Sequence, residues 1–368
     1  MTSRYLLGTA FLCLAACGDD AREAIPDAET APEATTEAIV VPAERASVPE
    51  APAPPETPPA VVSDVLGAFE GEVAGLALYE HPVMSFAGAV LAANGPAGLA
   101  VVPVDREVEG RVIEGTFDGP VAVGYTDELT FAAAASGGEV VLFTVGEDRG
   151  FTPIGSVTAD AEALCLIGDA LLVVGAEATG YVIGPEGAAE PAFTREGGAG
   201  AACAVTDERF FVAVPGKPLR SFDVAGGTPM VDDDYAGLSL EALAAASTEG
   251  GPALVTLVGD TVAVDGPGVG RIDVTVRRDG APVTQVSALA AGSGNFGSLY
   301  RDGVVAMVAG GELVLLPWAG VARAAGLEGT STLSLRPEGP VMPQPEIRLD
   351  LPEIETTLGP SAEPGEAP

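Results

Sequence analysis

Short apolar runs separated by glycine, aspartate and proline set the rhythm of the middle of this chain. Ala87–Ala92, Glu139–Phe143, Leu171–Val174, Phe210–Val214 and Gly303–Val308 are all rich in Val, Leu, Ala or Phe and end in turn-forming residues. Runs this short predict strands, because a helix needs a longer stretch with apolar positions every three to four residues. Asn94-Gly95, Asp118-Gly119, Asp279-Gly280 and Asp302-Gly303 add hairpin-type turn signals, since Asn, Asp and Gly tolerate positive φ.

The runs also recur. Ala163-Leu164-Cys165-Leu166-Ile167-Gly168-Asp169 is followed by Leu171–Val174 and then Tyr181-Val182-Ile183. Ala201-Ala202-Cys203-Ala204-Val205-Thr206-Asp207 is followed in the same order by Phe210–Val214 and Ser221-Phe222-Asp223-Val224. A period near 40 residues with about four short strands per unit marks a β-propeller. The expected fold is all-β, a six-bladed β-propeller over residues 61–328, with units beginning near residues 66, 107, 150, 188, 228 and 270. A solenoid or paired β-sandwiches would also use short strands of this kind.

The flanks differ in kind. Arg4 and the apolar run Tyr5–Ala16 have the form of a signal peptide, too short to span a bilayer permanently, and Leu14-Ala15-Ala16-Cys17 matches the bacterial lipobox. Residues 1–16 are therefore expected to be removed and Cys17 to carry lipid. Gly18 rather than aspartate follows it, so sorting to the outer membrane is expected, in the cell envelope. Residues 17–60 are Ala, Pro, Glu and Thr with few large apolar side chains, which predicts a disordered tether. Residues 329–368, with Pro337, Pro340, Pro343 and Pro345, predict a second disordered tail. No other stretch reaches about 18 uninterrupted apolar residues, so the lipid is the expected anchor.

Charge narrows the partners. The chain has 53 acidic against 17 basic residues, a net charge of −36, and Lys217 is its only lysine. That balance repels a phosphate backbone, so nucleic acid is excluded as a partner. Cys165 and Cys203 remain once Cys13 is removed and Cys17 lipidated. An oxidising compartment permits a disulfide between them, two buried thiols are the alternative, and positions in neighbouring blades can lie beyond the ~7 Å Cα limit.

A set of framework residues follows in order: Tyr79-Glu80-His81-Pro82, Val90-Leu91-Ala92, Gly98-Leu99-Ala100-Val101, Asp234-Tyr235-Ala236-Gly237-Leu238, Ala253-Leu254-Val255 with Gly259-Asp260, and Leu315-Leu316-Pro317-Trp318 with Ala322–Leu327. In this order the chain resembles the β-propeller phytases (3-phytases), six-bladed calcium-dependent enzymes that release phosphate from inositol hexakisphosphate. The resemblance implies acidic side chains holding calcium at the channel mouth, but the matching positions here are Ala74-Gly75, Gly95, Ala199-Gly200, Val214-Pro215, Ala236 and Thr284-Gln285-Val286. Turn glycines are kept, whereas the residues that would hold calcium and phosphate become Ala, Gly or Val.

Other constellations are sparse. His81 is the only histidine, so a histidine-rich metal site is impossible, and its place before a proline at a strand end predicts a structural role. Asp232, Asp233, Asp234 and Asp260 are the weak candidates for calcium, but without EF-hand-like spacing or a ligand-rich partner segment the Asp232–Asp234 run reads first as a solvated turn between blades. Gly266-Pro267-Gly268-Val269-Gly270 reads as an inter-blade turn, and Arg271, Arg277 and Arg278 as alternation along one strand. No nucleophile elbow, zinc motif or dinucleotide fingerprint occurs. The sequence therefore favours a membrane-anchored, phytase-like lipoprotein that binds a protein or small molecule without catalysis and without a cofactor. The alternatives are a divergent calcium-dependent phytase with a rebuilt site and a structural envelope lipoprotein.

Overall fold

A computed structural model describes residues 57–329 except 82, 185, 207, 208 and 328. Cys17, the leader over 1–16, nearly all of the 17–60 tether and the tail after 329 lie outside the described residues.

The chain is a β-propeller. Two N-terminal strands come first, β1 (Ala60–Val61) and β2 (Asp64–Ala68). The first four-stranded sheet holds β3 (Gly75–Tyr79), β4 (Ala89–Ala93), β5 (Leu99–Pro103) and β6 (Arg111–Ile113). The second holds β7 (Val121–Tyr125), β8 (Thr130–Ser136), β9 (Glu139–Val145) and β10 (Phe151–Thr158). Next come β11 (Ala163–Ile167), β12 (Ala170–Val174), β13 (Glu177–Ile183) and β14 (Ala189–Glu196). The fourth comprises β15 (Ala202–Val205), β16 (Arg209–Ala213), β17 (Leu219–Asp223) and β18 (Met230–Asp232). The fifth comprises β19 (Ala242–Thr248), β20 (Gly251–Val258), β21 (Thr261–Gly266) and β22 (Gly270–Val274). After β23 (Val276–Arg278) and β24 (Ala281–Pro282), the last blade is built from β25 (Val286–Gly292), β26 (Val304–Ala309) and β27 (Glu312–Pro317), and helix α1 (Trp318–Ala324) follows.

The expected count of six is corrected: the described residues form seven sheets. The additional sheet has three strands in the order β1–β23–β24, with Ala60 and Val61 running parallel to Val276 and Arg277. Its hairpin turns on Asp279-Gly280, both at positive φ (50° and 83°), which is why that Asp-Gly pair suits it. This sheet escaped notice because β1 is two residues long and its partner lies more than 200 residues away. Two smaller readings change with it. Arg271 lies in β22 and Arg277 and Arg278 in β23, so they are not on one strand, and 266–270 is a turn within a sheet, between β21 and β22.

Closure uses both ends of the domain. β2 pairs antiparallel with β27 and completes the four-stranded sheet β2–β27–β26–β25. Asp64 fixes that join: its carboxylate accepts from the Tyr300 hydroxyl at 2.7 Å and pairs with Arg106 at 2.7 Å.

Burial falls from the inside of each sheet to the outside, and the composition follows it. The second strands are enclosed on both faces between neighbouring sheets: all five residues of β4 and the first six of β8 are buried. Continuous runs such as Ala89-Val90-Leu91-Ala92-Ala93 replace the apolar–polar alternation of a half-buried strand for that reason. Fourth strands are mostly exposed, with β6 and β18 showing no fully buried residue, and they carry the charges.

Candidate binding channel

The innermost strands of the consecutive sheets, β3, β7, β11, β15, β19 and β25, pack one against the next around a central cavity of about 640 Å³. Residues 76–78, 121–125, 164–168, 203–206, 243–247, 289–291 and 293 line it. None of these is charged. Each innermost strand is the terminal strand of its sheet, so one edge of backbone N–H and C=O groups turns to the channel.

The lining is graded along its length. Each of the six four-stranded sheets is antiparallel from the innermost strand outwards, and the innermost strands run in one direction. Their first lining residues (Leu76, Val121, Leu164, Cys203, Leu243 and Leu289) gather at one mouth. At the other mouth the lining ends in Leu78, Tyr125, Gly168, Thr206, Ser247 and Ser293. There the Ser293 hydroxyl accepts from the Ser247 N–H, and the Ser247 carbonyl accepts from Trp318 Nε1 at 2.9 Å. Trp318 opens α1 and is fully buried, so the helix pins this end of β19.

Cys165 of β11 and Cys203 of β15 are joined by a disulfide with a Cα–Cα distance of 6.2 Å. It ties two neighbouring innermost strands in the channel wall, and both residues line the cavity.

His81 stands at the end of β3 and is buried. Its Nδ1 accepts from the N–H groups of Val83 (3.1 Å) and Met84 (3.0 Å), which leaves the proton on Nε2, 2.8 Å from the Glu147 carbonyl oxygen. Both ring nitrogens are thus used in holding the β3–β4 loop. Glu80 beside it is buried as well, with its carboxylate accepting from the Asn295 N–H at 3.2 Å. The same loop meets the β25–β26 loop where Phe296 packs on Gly88, a place where a Cβ would come within 2.6 Å of the ring. The two loops expose Val83, Met84, Phe86 and Leu299.

The acidic candidates are elsewhere. Asp232 ends β18, and its carboxylate accepts from the Asp234 N–H at 3.0 Å in a one-turn 3-10 helix over Asp233–Tyr235. All three aspartates are exposed. Asp260 lies in the β20–β21 turn and accepts from the Val286 N–H at 3.0 Å. Among the described residues no three His, Cys, Asp or Glu side chains are grouped to hold a metal ion. The neighbouring Tyr235 hydroxyl donates to Asp265 at 2.7 Å, and burial, then that carboxylate, raises its pKa well above the ordinary phenol range. Tyr300 shifts the same way, burial again being the largest cause, with Asp64 adding to it.

Sequence reasoning singled out the cysteines but missed the channel that they line. The signal was available in the small-residue runs Ala244-Ala245-Ala246 and Ala288-Leu289-Ala290-Ala291, which open their sheets without a charge. No helix among the described residues is long and apolar enough to cross a membrane.

No family model and no curated protein matches the chain. Among solved structures, BBS1N in complex with ARL6DN, soaked with lead, is similar over 70% of this chain and 96% of that one, with a TM-score of 0.45 and 9% identity. The mercury-soaked BBS1N–ARL6DN complex is similar over 62% of this chain and 74% of that one, with a TM-score of 0.42 and 12% identity. The likeness is one of fold alone.

Proposed function

We propose that this protein is a non-catalytic binding module, held at the cell envelope by lipid on Cys17 and built on a frame related to the β-propeller phytases. The observation that carries the non-catalytic reading is that none of the described residues lining the channel is charged. A calcium-dependent phosphatase needs several carboxylates converging where the substrate's phosphates sit, and the lining supplies hydroxyls, backbone amides and apolar side chains instead. The four weak calcium candidates do not supply the deficit: three are exposed at the end of β18, and Asp260 is engaged with Val286. Binding across a face or within the channel is what such a rigid ring offers when no reacting group is present. The envelope assignment rests on the lipobox, and the phytase relation on the ordered framework residues.

The test is phosphate release from inositol hexakisphosphate by the full chain, with and without millimolar calcium, read together with the melting temperature. No release and no calcium-induced rise in melting are expected. Calcium-dependent release would overturn the reading and send attention to the Asp232–Asp234 segment. Radiolabelled palmitate incorporation that disappears in Cys17→Ser is the expected result for the anchor; unchanged membrane association in that variant would refute it.

A further inference from the structure

The graded lining points to a particular ligand chemistry: we infer that the channel binds an uncharged amphiphile, a long-chain alcohol or neutral lipid. This inference rests on the binding-module reading and names what that module takes up. The apolar chain lies among Leu76, Val121, Leu164, Leu243 and Leu289, and the neutral polar group meets Thr206, Ser247 and Ser293 at the opposite mouth.

Three observations carry it. The first is charge: the chain has 70 charged residues, 53 of them acidic and 17 basic, yet none of the described residues that line the channel is charged. An ionised ligand would lose its hydration there without a counter-charge, which disfavours it. An anionic ligand would in addition meet a protein of net charge −36. The second is size, since about 640 Å³ falls within the ~300–1,000 Å³ range of small-molecule sites. The third is preorganisation. The Cys165–Cys203 disulfide fixes β11 to β15, and the Trp318–Ser247 hydrogen bond fixes the hydroxyl-bearing end of β19. A wall held in this way keeps its shape without a ligand, which lowers the ordering cost of binding.

The experiment uses the full chain and N-phenyl-1-naphthylamine, a neutral fluorophore that brightens in apolar surroundings. Saturable binding at one site is expected, with displacement by dodecanol and much weaker displacement by dodecyl sulfate and dodecyltrimethylammonium. Ala245→Leu combined with Ala291→Leu narrows the channel with apolar bulk and should weaken binding about tenfold or more, roughly 1.4 kcal/mol. Phe86→Ser, in the exposed loop patch, should leave binding unchanged. Absence of saturable binding by the folded chain would overturn the inference, as would equal displacement by the charged detergents. So would loss of binding in Phe86→Ser, which would place the site on the loops. If the double-leucine variant does not fold, the charge discrimination and the Phe86 variant still decide. Failure here alongside absent phosphate release leaves the binding module standing with another surface. Calcium-dependent phosphate release removes that module whatever the fluorophore does.

Discussion

At the scale of single residues, two buried polar groups, His81 and Glu80, are committed to holding loops. His81 spends both nitrogens on backbone groups, and Glu80 on the Asn295 amide. The structural role of His81 was legible from its isolation and the proline after it. Its partner at Glu147 was not, because that contact spans 66 residues and depends on two sheets meeting. The tyrosines give a prediction. Tyr235 and Tyr300 have folded pKa values raised above the unfolded value near 10, so the stability they confer is fully present below pH 10 and is lost as pH climbs through the folded values. Alkaline titration followed by tyrosinate absorbance should show these two deprotonating late, together with unfolding. Tyr235→Phe and Tyr300→Phe should each remove one late equivalent; titration of all tyrosines near pH 10 in a folded protein would contradict this.

Elements were the most legible level. The buried second strands announced themselves as unbroken apolar runs: Leu171–Val174 became β12 and Phe210–Val214 became most of β16, offset by one residue. Turn signals were less uniform, since Asp279-Gly280 closes a hairpin whereas Asp118-Gly119 links one sheet to the next. The short parallel pair β1–β23 carries no local signature, and the sheet count changed on that account. The disulfide belongs to this scale because it joins elements that share no backbone hydrogen-bond ladder. It closes a loop of 38 residues, which corresponds to about 2–4 kcal/mol of stabilisation. Cys165→Ser with Cys203→Ser should lower the urea midpoint accordingly, with m rising somewhat as the denatured chain loses its cross-link. A strong reductant should move the native protein to the same midpoint and leave the double variant where it is; equal midpoints for native and variant would refute the estimate.

For the whole molecule, the ring depends on its ends. The period in the sequence made the propeller legible, although not its sheet count. The position of the cavity was not readable, because it arises only when six separated strand starts converge. Deleting residues 57–68 removes β1 and β2, strips β27 of its outer partner and leaves Tyr300 without Asp64. Such a chain should lose cooperative unfolding and bind a hydrophobic dye, as expected of an open ring with a bare apolar edge. A sharp melt at the native temperature would show that closure is dispensable.

The pairing of β2 with β27 also orders events in time. Ser63 bonds to Leu315 across 252 residues. With translation adding roughly 5–20 residues per second, β2 waits on the order of 13 to 50 seconds before its partner has been made. During that interval its apolar edge is open to any other strand within reach. The five earlier four-stranded sheets are each a local meander and can form as soon as they emerge. The β1–β23–β24 sheet and the last one both depend on a segment made at the start, so a ribosome that stalls before residue 312 releases a chain of well-made sheets with no means of becoming a ring.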